Sequence, residues 1–512
     1  MATVTDTVGI DNVPRELTSD DTSFFGHPRG LRLLFGVEMW ERLSYYGMRA
    51  ILVLYLVNAL KWSDGDAANL YGTYTALVYL TPLLGGYLAD RYIGTRNSLL
   101  IGGIIISLGH FALAFPGISM FYLGLGLIII GTGFFKPNVS TMVGQLYREG
   151  DKRRDAGFTI FYMGVNLGAF LAPFVCGTLA QKVGWHYGFA AAGVGMVIGL
   201  VMYLVGVDKY LPGIGLKPTN ATREAQKAIS GETEGKLVHA LLGAVVLVAL
   251  FWIGSNVSYA SATGMAWNGH VFSPLGLAMG AIIGGALGYS VLGTHGDERR
   301  RVLAIFILVF FVIFFWMAFE QAGSSMSLFA DRYTDNNLFG FTIPSSWYQA
   351  VNPLFIIGFA PVFAAMWVKL GRTGKEPPTA LKMVFGLAMV GLGFLFLVAA
   401  GHSADAGNKV SPLWLVMAYL FHTWGELCLS PVGLSYVSKV APGRLASLLM
   451  GVWFLANAAA NKLGGTLAAM TENIHSQAQF FTIPVATSLG AAVLLLLLVP
   501  LLRRLTASVQ GA

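Results

Sequence analysis

The sequence predicts an all-α polytopic membrane protein of about fourteen transmembrane helices, on three observations. The first is composition: of 512 residues, 55% are hydrophobic and only 12% charged, against roughly 25% charged in soluble domains, and mean hydropathy is +0.64. The second is run length. A helix needs about 20 apolar residues to cross a hydrocarbon core, and such runs fall near 29–60, 67–92, 96–115, 119–147, 155–182, 187–208, 236–256, 272–293, 302–330, 343–370, 379–400, 411–438, 444–471 and 477–502. The third is the placement of basic residues. With a cytoplasmic N-terminus, the links near 61, 116, 183, 260, 333, 405 and 473 lie outside. Of 33 Lys and Arg, four sit in those links (Lys61, Lys182, Arg332, Lys409) and four within helices (Arg42, Arg49, Lys136, Lys462), which leaves 25 for the cytoplasmic side. That bias is the positive-inside rule with every span in register; an error of one helix would scramble it.

Taken in order, residues 1–28 read as a cytoplasmic tail. They carry Asp6, Asp11, Glu16, Asp20 and Asp21 and lack the basic-then-apolar order of a secretory signal. Residues 29–208 hold six helices. The interval 209–235, rich in Pro, Gly and mixed charge, reads as a cytoplasmic linker. Two further helices follow within 236–299; they carry Trp252 and Trp267 but no charge in their cores, and are expected to pack peripherally against lipid. Six more helices fill 300–505, and 506–512 is a second cytoplasmic tail. Six plus six suggests two bundles flanking a central cavity that opens alternately to each side. Cys176 and Cys428 lie in apolar runs and read as small core residues, so neither a disulfide framework nor a Cys-rich metal site is expected.

Charge inside a span is expensive, about 2.5–3.5 kcal/mol for a residue at mid-membrane, so the few that occur are informative. The stretch "VEMWERLSYYGMRAILVLYLV", 37–57, carries Glu38, Glu41, Arg42 and Arg49. With Tyr45 and Tyr46 these share one helical stripe, which must face protein or water. Elsewhere the ionisable residues are Lys136, Glu320, Glu426 and Lys462. Opposite signs in helices 1, 4, 7 and 10 can neutralise one another. A pair broken and remade across a cavity makes a switch that a proton or a charged ligand can tip, whereas a fixed pair would only staple helices. Lys462 reads two ways, as one more charge within a span or as a residue near a helix end that snorkels to the surface. Amides and hydroxyls accompany these charges: Asn166, Gln349, Asn352, Ser430 and Asn457, with Trp453. An amide both donates and accepts, which suits a peptide backbone; an interhelical hydrogen bond is the other reading. Pro137 and Pro353 adjoin these sites and are expected to open the helical ladder there. "GRTGKEP", 371–377, lacks the spacing of a phosphate-binding loop, so membrane carboxylates, and hence protons, are the expected energy source.

"GGYLADRYIGTR", 85–96, resembles the helix 2–3 signature of the major facilitator superfamily, with Asp90, Arg91 and Arg96 in place. "FFGHPRGL" at 24–31, Glu38-x-x-Glu41-Arg42 followed by "SYYG", "GTGFFKPNVS", "FYMGVNLGAF", "FWMAFEQAGSS" and "GELCLSPVGLS" run in order to about residue 465. Together they are similar to the proton-dependent oligopeptide transporter family, and the two additional helices resemble its bacterial branch. One departure is Leu43, where the pattern commonly has Phe.

The resemblance implies a major facilitator fold and a proton-coupled symporter of di- and tripeptides, not an enzyme. It implies a bacterial inner membrane location with both termini cytoplasmic. The proton is the coupling ion, with no other cofactor, no metal and no nucleic acid, and the chain is expected to be monomeric in lipid. Arg49 and Lys136 resemble the residues that meet the peptide carboxylate, and Glu426, helped by Asn352, the partner of its amino group. Asn166 resembles a backbone contact, with Tyr45, Tyr46, Tyr79 and Trp453 shaping the walls. Glu38, Glu41 and Arg42 resemble the coupling motif, and Glu320 a proton site opposite Arg49. Gln349, Ser430 and Asn457 complete the candidate binding set. Two other readings stay open: a carrier of nitrate or another anion, which Glu426 would repel, and a proton-pumping subunit of a redox complex, which would not need the 85–96 signature.

Overall fold

The computed structural model describes residues 21–148, 150–216, 274–338 and 340–510. They form the helices α1 Arg29–Asn58, α2 Asp64–Leu88, α3 Thr95–Ala114, α4 Ile118–Gln145, α5 Arg154–Ala172, α6 Thr178–Lys182, α7 Trp185–Tyr210, α8 Pro274–Leu292, α9 Gly296–Phe319, α10 Ser325–Arg332, α11 Val351–Arg372, α12 Thr379–Asp405, α13 Leu413–Val440, α14 Ala446–Ala469 and α15 Gln477–Leu505. Every run read from the sequence coincides with helix except 236–256, which lies outside the described residues, as does the 217–235 part of the linker. Two runs are interrupted. A π-helical turn, Pro173–Gly177, separates α5 from α6, and a 3₁₀ turn, Glu320–Gly323, separates α9 from α10. One two-residue antiparallel ladder pairs Asn337 with Thr342 and Leu338 with Phe341.

Among the described residues, eight helical spans are long and apolar enough to cross a membrane by length and composition alone. The helices α1, α2, α13 and α14 are not among them, and α1, α13 and α14 carry Glu38, Glu41, Arg42, Arg49, Glu426 and Lys462. Helix ends follow the helix dipole: Asp64 and Asp66 open α2, Asp297 and Glu298 open α9, and Arg503 and Arg504 close α15. Ser476 caps α15 by accepting from the Gln479 amide at 3.1 Å, while its hydroxyl donates to Asp405 at 2.6 Å. The apolar exposed positions on α7 (Val194, Val201, Val205) and α15 (Leu494, Leu497) suit helices surrounded by hydrocarbon.

By contact the chain divides into two compact units, Met1–Ile51 with Leu80–Ala225, and Leu52–Tyr79 with Gln226–Ala512. This grouping cuts across the linear order, because residues 52–79 join the second unit. The first unit packs around Leu34, Val37, Leu99, Phe135, Val139, Met196 and Tyr203. Its helices α3 and α4 approach on glycine: a Cβ on Gly102 would fall 2.7 Å from the Gly131 carbonyl, and one on Gly124 2.7 Å from that of Gly109. Backbone contact of this kind is how helices associate where lipid supplies no hydrophobic drive. The second unit packs around Leu308, Phe315, Phe329, Phe394, Leu415 and Phe481. Its α12 and α13 meet in the same manner, Gly425 against the Gly386 carbonyl at 2.7 Å.

The two prolines differ from one another. Pro353 is the third residue of α11, which follows the 3₁₀ turn Ser345–Ala350 without a break, so its missing N–H falls at that junction. Pro137 lies inside α4, which continues through it to Gln145. The carbonyl that proline leaves without its usual donor belongs to Gly133, and Gly85 of α2 comes so close there that a Cβ would sit 2.0 Å from that oxygen.

Candidate functional site

Within the first unit, the α1 stripe is a buried ion cluster. Arg42 Nε lies 3.1 Å from Glu38 Oε1 and also donates to Glu41 Oε2. All three are at most 4% exposed. Glu38 and Arg42 are one helical turn apart, so the backbone itself sets their separation. The Arg42 guanidinium stands over the rings of Tyr45 (5.2 Å) and Tyr46 (6.0 Å), and that of Arg49 over Tyr46 (5.7 Å). The predicted stripe is thus one continuous layer of charge and aromatic face. Lys136, on α4, is half-buried. Asn166 is buried and its Nδ2 donates to the Tyr162 carbonyl at 2.9 Å, within its own helix.

The signature segment is also in this unit. Ala89–Ile93 is π-helical, and Gly94, at φ +83°, turns the chain into α3. Arg96 donates through Nη2 to the carbonyls of Val207 (3.0 Å) and Leu211 (3.3 Å) and pairs with Asp208 at 3.2 Å. Tyr203 donates its hydroxyl to the Arg96 carbonyl. Arg91 donates to the Tyr87 hydroxyl at 2.7 Å, and Asp90 is exposed. Arg96 is therefore bound to the carbonyl end of α7, where a cation meets the negative end of the helix dipole. Upstream, His27 Nδ1 and the Tyr147 hydroxyl lie 2.9 Å apart, both buried.

Within the second unit the carboxylate of Glu426 accepts from Asn352 Nδ2 at 3.0 Å. The same amide donates to Thr423 Oγ1, 3.0 Å away, which donates in turn to the Tyr419 carbonyl. Glu320, 4% exposed, opens the 3₁₀ turn between α9 and α10. The next residue fixes that turn: Gln321 Nε2 donates to the Gly464 carbonyl at 2.9 Å, and Ser325 donates to Gln321 Oε1. Gln349 donates to Ser327 Oγ. Tyr79 packs on Ala76 and Ala458. Trp453 is buried against Gly433 of α13, and Asn457 donates to the Trp453 carbonyl. The Ser430 hydroxyl is buried without a hydrogen-bond partner among the described residues.

Three arrangements were not legible. Arg332, read as an outer-link cation, makes a bidentate pair with Asp64 at 2.5 and 2.7 Å, beside Asn58 and Ser345 donating to Asp331. Lys382, in the 379–400 run, is 6% exposed, pairs with Glu376 and stands 4.4 Å from the Trp367 ring centre. Lys462 does not snorkel. It is 4% exposed within α14 and donates to Thr73 Oγ1 at 2.9 Å. The opposite sign of Asp64 at a helix start and Arg332 at a helix end was the available signal for the first. Cys176 and Cys428 are free and buried.

Comparison with known proteins gives consistent matches. The family model described as "POT family" matches residues 96–484. The chain is 38% identical to "Peptide transporter YePEPT" of Yersinia enterocolitica, over 96% of this chain and 98% of that protein. It is 37% identical to a "Di-/tripeptide transporter" of Lactococcus lactis subsp. cremoris, over 94% and 97%. Among solved structures, a POT family transporter in complex with 5-aminolevulinic acid superposes with a TM-score of 0.79 at 33% identity, covering 95% of this chain and 99% of that one. A peptide transporter POT in complex with alafosfalin gives 0.77 at 38%, covering 96% and 99%.

Proposed function

The chain belongs to the POT family, and from that premise we propose that it imports di- and tripeptides together with protons by alternating access. Membership carries a major facilitator fold, transport in place of enzymatic catalysis, and a place among multi-pass proteins of the bacterial inner membrane. The finer reading is ours: six helices in 29–208, six in 300–505, two additional ones in 236–299, both termini cytoplasmic, a monomer in lipid, and the proton as sole coupling ion.

One observation carries the substrate assignment. The cations Arg49 and Lys136 belong to one compact unit, and the carboxylate Glu426, held by the neutral amide of Asn352, belongs to the other. A zwitterionic peptide offers an amino group suited to Glu426 and a carboxylate suited to Arg49 and Lys136, whereas a simple anion has nothing to offer Glu426. Asn166, Gln349, Ser430 and Asn457 supply polar groups for the peptide bonds, and Tyr45, Tyr46, Tyr79 and Trp453 the walls. Glu38, Glu41, Arg42 and Glu320 serve the proton. Protonating Glu320 removes a buried negative charge, so proton and peptide favour the occluded state jointly, which is coupling by differential binding. Asp90, Arg91 and Arg96 set the conformational signature.

Uptake of labelled dialanine into proteoliposomes under an imposed pH gradient tests the reading. Accumulation should follow the gradient and collapse with a protonophore. Glu320→Gln should abolish accumulation and retain peptide–peptide counterflow, which needs no net proton cycle. Wild-type accumulation in that variant removes Glu320 from the mechanism.

A further inference from the structure

The contact between α2 and α14, internal to the second unit, is a ladder of small residues. Ala76 packs on Ala458. One turn away, a Cβ added to Gly72 would fall 2.7 Å from the Gly465 Cα, and one on Gly465 2.6 Å from the Ala68 carbonyl. Backbones this close adhere well, as small-xxx-small pairs do. Lys462 lies four residues after Ala458 and three before Gly465, so it projects from the same face into the middle of the ladder.

That lysine is poorly provided for. An ammonium has three donors; among the described residues one is used, on the Thr73 hydroxyl, and no carboxylate pairs with it. The surrounding charged groups offer little relief. Asp64, at the start of α2, is taken by both arms of Arg332; the α9–α10 turn meets α14 through the Gln321 amide on the Gly464 carbonyl, and neither Glu320 of that turn nor Glu472 just past α14 pairs with Lys462 among the described residues. A residue selected to fasten two helices would be matched by acceptors equal to the desolvation that burial imposes.

We propose that Lys462 is a positioning residue that opposes closure of the α2–α14 contact, a counterweight to its glycine and alanine rungs. Closing the contact strips water from the ammonium and returns one neutral acceptor; separating the helices rehydrates it. The two tendencies keep the contact near balance, as a cycle between two states requires. The proposal rests on the alternating-access reading above, with the 52–79 hairpin on the outer side as the basic-residue bias places it.

Its signature is a pair of opposite signs at one hydrogen bond. Lys462→Met keeps the length, removes the buried charge and should tighten the contact. Thr73→Val leaves the ammonium with no partner and should loosen it. A staple requires both to loosen, since both delete the same bond.

Spin labels at Val183→Cys and Asn408→Cys, exposed positions in links read as outer, report the outer opening by electron–electron double resonance on the full chain in nanodiscs. The two native cysteines are buried and stay in place. Lys462→Met should lower the ratio of long to short distances about fivefold or more, and Thr73→Val should raise it by a similar factor. Lys462→Gln, neutral but polar, should shift in the direction of methionine by less, and the double variant should follow Lys462→Met. Shifts of the same sign in the two single variants, or no shift in either, overturn the proposal. A wild-type chain with one invariant distance across pH and dialanine concentration would instead overturn alternating access itself.

Discussion

Two buried carboxylate sites in this protein are built on opposite plans. In α1, Glu38 and Glu41 share the guanidinium of Arg42, with tyrosine faces around it. At α13, Glu426 is held by an amide and has no cation among its described partners. The first site sets one guanidinium against two carboxylates, a formal charge of −1 with both ionised, so its burial depends on that single cation. The second leaves a carboxylate with capacity to accept from a charged visitor. A cluster that supplies its own counter-ion can pass on a change in charge; a carboxylate without one invites a ligand. On the proposed reading, coupling and recognition fall to these two kinds of chemistry.

The comparison breaks most readily at Arg42. Arg42→Met leaves two neighbouring carboxylates buried without their cation, and should cost roughly 3–5 kcal/mol of stability, read as a lowered thermal unfolding temperature in detergent. Restoring neutrality with Glu38→Gln and Glu41→Gln in the same chain should recover much of that loss. A single variant as stable as wild type would mean the cluster is not closed.

A smaller effect sharpens the other half. A charge-assisted hydrogen bond is worth about 1.5–3 kcal/mol, so acetylating the amine of dialanine should weaken binding about 10- to 150-fold if Glu426 meets it. In Glu426→Gln the free and acetylated peptides should bind nearly alike, while amidating the carboxylate should still weaken binding. Calorimetric titration of the four protein–ligand combinations isolates the pairwise energy. An acetylation penalty unchanged in the variant would leave Glu426 without that role.

The smallest effect is expected where a carboxylate of the same kind sits at the surface. Asp21 is raised by partial burial but lowered more strongly by hydrogen bonds from Ser23 and Arg29, and ends well below the usual carboxylate range. Because its folded-state value is depressed, the stability it contributes is present above the ordinary Asp range and lost as pH falls through that range and below. Asp21→Asn should therefore speed hydrogen exchange at the Ser23 and Arg29 amides at pH 7, and the gap from wild type should narrow on acidification. Arg29 is half-exposed, so solvent screening keeps the effect modest. A gap that widened in acid would contradict the sign.

How far the sequence could be read varies with distance along the chain. The α1 layer was legible because its members recur every three or four residues. So were the helices, since length and apolarity set them locally. The contact of the Asn352 amide with the Thr423 hydroxyl was not, the two being separated by 71 residues with nothing in periodicity to join them. Lys462 stays ambiguous in the sequence for the same reason. Its burial depends on Thr73, 389 residues away, and local pattern supports a snorkelling lysine equally well. The breaks at Pro173–Gly177 and Glu320–Gly323 were hidden inside runs long enough to read as single spans, and Lys382 was overlooked because its partner Glu376 lies in the preceding loop. Residues 52–79 join the second unit through Gly72 and Gly465, and glycine reports a close approach only once its neighbour is known.

The Arg96 clamp has a consequence for biogenesis. Its acceptors, the carbonyls of Val207 and Leu211, lie 111 and 115 residues downstream. Ribosomes add about 5–20 residues per second, so a nascent Arg96 waits roughly 6–20 s before its acceptors exist. During that interval the helix 2–3 turn is a basic segment with no docking place on its own protein, held at the membrane surface by its charge. Only when α7 has been made can the turn be locked, so the clamp closes late, joining a helix synthesised early to one completed 111 or more residues afterwards.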